Sequence, residues 1–352
     1  MEAMDLLQVL DHQQPRRLRV IENLLRGRRT VSTLYWGQRY HLLPLLDADK
    51  HLDRGALTVP AQQLVAANLV TLDSEEDQLL LTPAGQQRQS QVATYYRPQT
   101  SGDWLSLDLG AVRQRTLLAV QVTSQYAHST SRYYPLTTDL ATRRIIRQWF
   151  HRLKGPQLAE TLSVALIQSL QQLPVQTAEA MTDLLTGYQH PGLTVDQVAS
   201  KQQQTAWEIR LRQRDGLTQI ARDARRADHP FHSLLQSLWR SPVTRSAQAT
   251  LYAVEQGGSL EQVAAQRHVK TNTVKEHLLE AAILSPVAVF PYDQLLPESV
   301  RADFATVLNA DIDSWQFAQL PEALRARYDF FYFRLYAIWR GRGMMADGTT
   351  HN

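Results

Sequence analysis

Cysteine is absent from the 352 residues, which removes disulfides, thiolate nucleophiles and every Cys-ligated zinc or iron–sulfur site. No apolar run approaches the roughly 18 residues of a membrane span, and no basic amino-terminal region leads into an apolar stretch with a cleavage site. A soluble, cytoplasmic protein that touches no membrane is the expectation. The phosphate-cradling pattern G-x-x-x-x-G-K-[ST] is missing, so the chain is not expected to hydrolyse nucleotide by itself. Neither H-E-x-x-H nor G-x-S-x-G occurs, and with them go the compact signatures of zinc-peptidase and serine-hydrolase chemistry. The nearest approach to a metal site is His229 with His232. No third ligand lies close in sequence, so the pair reads as surface or capping histidine. No cofactor, metal or catalytic residue is expected, and binding is the better reading than catalysis.

What is present is ordinary globular material. A hydrophobic content of 43% with 20% charged residues argues against wholesale disorder. The length allows two to four domains with substantial cores. The net charge of +3 is unevenly spread: residues 1–97 are neutral, residues 98–245 carry an excess of +6, and residues 246–352 carry −3. The basic centre favours contact with phosphate or with an acidic protein surface.

The most informative stretch runs from Thr244 to Ala282. Ser259 and Gln262 have the spacing of a capping box, in which side chains and backbone amides satisfy each other at a helix start. Leu260, Val263 and Ala264 then share one face, and the small Ala264 and Ala265 admit a close neighbour. Arg267 to Lys270 form a turn in which His268, a type tolerant of positive φ, stands where Gly is frequent. Thr271 or Asn272 can cap the next helix, whose Val274, Leu278 and Ala281 repeat as a buried stripe. Its opposite face carries Asn272, Thr273, Lys275, Glu276 and Glu280. This is a helix-turn-helix pattern, in which the first residues of the second helix reach base edges and flanking donors hold phosphates. Thr271, Asn272, Thr273 and Lys275 are the candidate DNA contacts, with Lys270 and Arg267 as phosphate donors. A plain three-helix packing unit gives the same pattern. Four basic and four acidic residues balance between Arg245 and Glu280, so the unit alone gains little from counterion release.

The same residues resemble the helix-turn-helix domain at the carboxyl end of many bacterial RecQ-type DNA helicases. The shared skeleton is Thr250 and Leu251, Gly258 to Ala264, Arg267, Thr273 and Val274, then His277 and Leu278. The likeness continues through Asp293 to Leu308 and into the closing segment from Tyr328 to Ile338, where Tyr332 and Arg334 match the family motif. The chain as a whole is similar to stand-alone proteins of that family, found where the RecQ-like helicase lacks the domain. The resemblance implies an accessory subunit that acts in trans on a RecQ-type helicase and meets DNA as duplex, fork or single strand. It brings no catalytic residues. A transcription regulator that reads a defined operator through Asn272, Thr273 and Lys275 is the alternative.

The remaining chain reads as mainly α and multi-domain. Helices are expected over Arg16 to Arg26, with Gly27 as stop, and over Val31 to Leu43, and a third follows Pro60. LVTLDSEEDQLLLTPAG then reads as a small β-hairpin followed by a helix, and the set resembles a winged helix over residues 1–97. Its tip carries Asp73, Glu75, Glu76 and Asp77, which would repel phosphates, so this domain is expected to dock a protein partner or a second copy of the chain. Thr94 to Trp104 reads as a linker, and residues 98–190 as a helical middle region. In Arg143 to Lys154, cations alternate with Trp149 and Phe150, a composition open to single-strand contact. The helical spacing of Ile146, Trp149, Phe150 and Leu153 favours a basic helix packed inward instead.

Residues 191–243 hold a second helix-turn-helix-like pattern. Thr194 with Gln197 repeats the cap of Ser259 with Gln262, and Val198 to Ile209 matches Val263 to Val274. Gln204 and Trp207 depart from the other copy. Arg210, Arg212 and Arg214, followed by Arg222, Arg225 and Arg226, are candidate phosphate contacts, with a solvated helical face as the alternative. The carboxyl-terminal domain is expected over 244–342 around a central helix from Asp329 to Arg340, with a loose tail at 343–352.

Overall fold

The computed structural model describes residues 1–73, 75, 77–92 and 95–346. The chain is mainly helical with a small amount of strand, and it forms two compact units: Met1–Pro15 with Gly55–Arg240, and Arg16–Arg54 with Ser241–Asn352. This division differs from the expected one. Helices Leu18–Leu25 and Val31–Arg39 belong to the second unit, whereas Thr58–Ala66, the hairpin and Pro83–Gln91 belong to the first. The segment 1–97 is therefore shared between the units, and the boundaries at 97 and 190 fall inside one of them.

In the first unit, the hairpin pairs Val70–Asp73 antiparallel to Gln78–Leu81, with Val70 opposite Leu81 and Asp73 opposite Gln78. Alternation buries Leu79 and Leu81, as a one-sided strand requires. Thr82 caps the next helix by accepting from the Gly85 amide at 3.0 Å, with Pro83 in its first turn. Gly85 is needed there because a Cβ would stand 1.9 Å from the Leu69 carbonyl oxygen.

The expected linker is instead a packed strap. Thr94 lies outside the described residues, but Tyr96, Thr100 and Trp104 are all buried. Asp215 accepts hydrogen bonds from the Gln99 amide at 2.6 Å and the Thr100 amide at 2.9 Å, and also from the hydroxyls of Tyr96 and Thr100. Beyond it, helices Leu109–Ala127, Leu158–Leu170 and Val175–Leu184 pack on the long helix Ala206–Asp223, and Leu140–Leu153 packs on Leu109–Ala127. Their shared core includes Val112, Trp149, Ile220 and Phe231.

In the second unit, helix Thr271–Leu284 is central. Arg245–Glu255, Leu260–Gln266, Val31–Arg39 and Phe330–Ala346 all pack on it. The amino-terminal segment is tied in by Arg29, which donates to the Pro242 carbonyl at 2.8 Å, and by Arg39, whose Nε donates to Asp313 at 2.6 Å. Gly27 ends the first helix with φ +75°, as its position predicts. Arg334 lies 3.7 Å from the centre of the Tyr35 ring, a structural cation–π contact. The last helix reaches Ala346, so residues 343–346 extend it rather than forming a tail. The rest of the expected tail, 347–352, lies outside the described residues.

Candidate nucleic-acid interface

The second-unit module forms both expected helices and the turn between them. The Ser259 hydroxyl accepts from the Gln262 amide at 3.2 Å, and the Ser259 amide donates to Gln262 Oε1 at 2.9 Å. Helix Leu260–Gln266 buries Val263 and Ala264. His268 then takes the left-handed conformation, φ +52°, and lets the chain turn within four residues. Helix Thr271–Leu284 follows with Lys270 in the N-cap position and no side-chain cap, so neither Thr271 nor Asn272 serves as the cap. Val274, Leu278 and Ala281 are fully buried.

Exposure falls along the second helix. Asn272 and Glu276 are exposed and Thr271, Thr273 and Lys275 half-buried, while every residue from Leu278 to Ser285 is buried. Only the amino-terminal turns remain open, and those are the turns that a DNA reader uses. Glu280 corrects the expected polar face: it turns inward, accepts from the Thr244 amide at 2.8 Å, and faces Arg29 at 3.5 Å.

The cations around this tip play separate roles. Lys270 is exposed at the helix start. Lys275 is ion-paired with Asp329, which offsets its charge. Arg267 is a clamp: it donates to the Ser246 carbonyl at 2.8 Å, to Ser246 Oγ at 3.1 Å and to the Thr250 hydroxyl, and so ties the turn to helix Arg245–Glu255. Its expected phosphate role gives way to this internal one.

The first-unit copy repeats the capping box, the left-handed turn and the buried positions. Thr194 and Gln197 close a capping box, Gln203 is left-handed at φ +52°, and Val198, Ala199 and Ile209 are buried like Val263, Ala264 and Val274. Its second helix, however, opens into protein. Trp207 is buried at the position matching Asn272, the Thr205 hydroxyl donates to Asp5 at 2.6 Å, and Glu208 accepts from the Tyr96 amide at 3.0 Å.

The three arginines therefore do not form the expected phosphate face. Arg212 is buried, donates to Gln204, Gln176 and Thr177 at 2.8–3.1 Å, and stacks over Tyr96. Burial lowers its pKa from the usual arginine value. Arg214 lies over the Trp104 ring at 4.6 Å, and Arg210 is half-buried and also engaged. Of the trailing arginines, Arg222 pairs with Asp103 at 2.5 Å and Arg225 lies over Trp239.

Three of the four hairpin carboxylates, Asp73, Glu75 and Asp77, are exposed. Asp73 accepts from the Glu75 amide at 2.9 Å, and Glu76 lies outside the described residues. His229 is buried, its Nδ1 accepting from the Phe231 amide at 3.2 Å, while His232 Nδ1 lies 2.9 Å from the Ala224 carbonyl.

Comparison with known proteins agrees with the module's geometry. A family model described as a helix-turn-helix domain matches residues 246–337. Protein YpbB of Bacillus subtilis (strain 168) is 23% identical over 230 residues, which is 64% of this chain and 64% of that protein. No solved structure matches. The carboxyl-terminal part of the chain thus carries a helix-turn-helix domain, a fold of DNA-binding proteins. No described helix is long and apolar enough to cross a membrane.

Two histidines give the fold a pH dependence. His277 lies 2.8 Å from the Thr250 hydroxyl, and burial followed by the Arg267 charge lowers its pKa; burial and then Arg226 do the same for His229. A lowered folded-state pKa favours the neutral ring, so this stability is complete above the ordinary value of 6.5 and is lost as pH falls below it. The melting temperature should therefore drop between pH 7 and pH 5, and H229Q combined with H277Q should shrink that drop. Equal pH dependence in the wild type and the double variant would refute this.

Proposed function

We propose that the chain is a non-enzymatic DNA-binding adaptor that serves as accessory subunit of a RecQ-type DNA helicase. The observation that carries the DNA part is the open first turn of helix Thr271–Leu284. There Asn272 and Lys270 are exposed and Thr271 and Thr273 half-exposed, on a helix that is buried from Leu278 to its end. Asn272 can accept from and donate to an adenine edge, and Lys270 can meet a phosphate beside it. The helicase part is supported by the resemblance that runs from Thr250 to the closing motif around Tyr332 and Arg334. In this reading the exposed Asp73, Glu75 and Asp77 dock a basic patch on the partner.

Two measurements test the proposal. N272A is expected to weaken binding to the preferred DNA by about 5- to 150-fold, the range for one bidentate base contact, without changing the melting temperature. Affinity capture with the full chain at mild salt is expected to recover a RecQ-type helicase. Undiminished binding by N272A would remove the reading helix from the account, and capture without a helicase would remove the partner. A preference of roughly 10³-fold or more for one duplex sequence over random duplex would assign the operator-reading function instead.

A further inference from the structure

Helix Leu140–Leu153, in the first unit, sorts its side chains by charge. Asp139 caps it, its carboxylate accepting from the Thr142 amide at 2.7 Å. Thr142, Ile146 and Trp149 are buried, and Ile145 and Phe150 half-buried. Trp149 Nε1 donates to the Pro230 carbonyl at 2.8 Å. The opposite side exposes Arg143, Arg144, Arg147 and His151, and Lys154 is exposed at the C-cap. At 3.6 residues per turn, positions 143, 144, 147, 151 and 154 fall within a sector of about 100° and span roughly 16 Å.

The charge on this stripe is uncompensated. The sequence contains no Asp or Glu between Asp139 and Glu160. Among the described residues, Arg143, Arg144, Arg147 and Lys154 pair with no carboxylate. Ile146, Trp149 and Phe150 pack inward as expected, so Trp149 is closed to a base, whereas Leu153 is exposed and the cations line up outward.

An aromatic stands at the amino end of the stripe. Tyr134 is 95% exposed, yet its backbone is fixed: Gln121 Nε2 donates to the Tyr134 carbonyl at 3.0 Å, and Gln121 Oε1 accepts from the Leu136 amide at 3.0 Å. The helix that carries Gln121, Leu109–Ala127, packs on Leu140–Leu153, and the loop runs directly into the Asp139 cap. Leu140, 77% exposed, lies in the same sector.

We infer that this stripe binds the phosphate backbone of a single-stranded nucleic acid, with Tyr134 stacking on a base. Cations on successive turns, about 5–6 Å apart, form an electrostatic track, and an exposed ring on an anchored backbone is a stacking platform that an unpaired base can use. A membrane surface does not fit, because insertion needs a free apolar face and this helix spends its own on the core. The site is independent of the helix-turn-helix reading.

The test is anisotropy titration of the full chain with a labelled 20-nucleotide oligo-dT and with a blunt duplex of equal length, across a salt series. The triple variant R143A, R147A and K154A is expected to weaken oligo-dT binding tenfold or more and to reduce the log–log salt slope by about two, from three lost contacts at about 0.7 each. Y134A is expected to weaken binding roughly 5- to 150-fold at unchanged slope. Unchanged affinity and slope in the triple variant would overturn the inference. So would tighter binding of the duplex together with no effect of Y134A. Displacement of oligo-dT by polyglutamate at equal charge concentration would reassign the stripe to an acidic protein. R147E, a single change at an exposed position, gives the same reading should the triple variant melt early.

Discussion

Asp215→Ala is expected to cost about 3–5 kcal/mol of folding stability, the range for removing one partner from a buried charged network. Asp215 is fully buried on helix Ala206–Asp223, and its two oxygens accept from the amides of Gln99 and Thr100 and the hydroxyls of Tyr96 and Thr100. The Thr100 hydroxyl in turn accepts from Trp104 Nε1 at 3.0 Å. Truncation leaves the Thr100 amide and hydroxyl and the Tyr96 phenol facing a methyl group in a buried space, with the part-buried Gln99 amide beside them, and each buried orphaned donor costs about 1–3 kcal/mol. Those donors lie on one strap, so the penalties partly share a single relaxation and their simple sum overstates the loss. Asp215→Asn keeps an acceptor but turns an NH₂ group toward donors, and it should fall between wild type and Ala. Urea denaturation checks both. A loss under 1 kcal/mol for the Ala variant would mean that the strap is held by its aromatic residues alone.

Local chemistry was legible in the sequence. Both capping boxes, the left-handed turn at His268 and the buried positions Val263, Val274 and Leu278 follow from spacing and backbone preference. What spacing does not report is which object covers a face. The Ser259 and Thr194 modules share nearly every local signal, yet one opens its second helix to solvent and the other closes it on Asp5 and Tyr96. Of the two departures, Gln204 and Trp207, the one that marks the closed tip is Trp207, too large and apolar for an exposed position. Arg212 looked like surface charge because its partners, Gln176 and Thr177, come from another helix. The allocation of residues 16–54 to the carboxyl-terminal unit was equally out of reach, since it rests on pairs such as Arg39 with Asp313, 274 positions apart. No periodicity within a short window encodes such a pairing.

Trp149→Ala should destabilise the first unit by about 3–5 kcal/mol, the usual cost of emptying a large aromatic site in a core. The ring is fully buried, stacks on Phe231 with centroids 6.2 Å apart, and satisfies the Pro230 carbonyl. Alanine therefore loses transfer energy, leaves a cavity and strands an acceptor. The cations one helical face away should behave oppositely. R143A and R147A remove exposed, unpaired side chains and should each stay within about 0.5 kcal/mol of wild type, while lowering oligo-dT affinity. This contrast separates the two roles that one helix carries, because stability follows the inward residues and binding follows the outward ones. Should the arginine variants lower the melting temperature as strongly as Trp149→Ala, the stripe would be part of the fold's own packing, and its claim on a nucleic-acid strand would lapse.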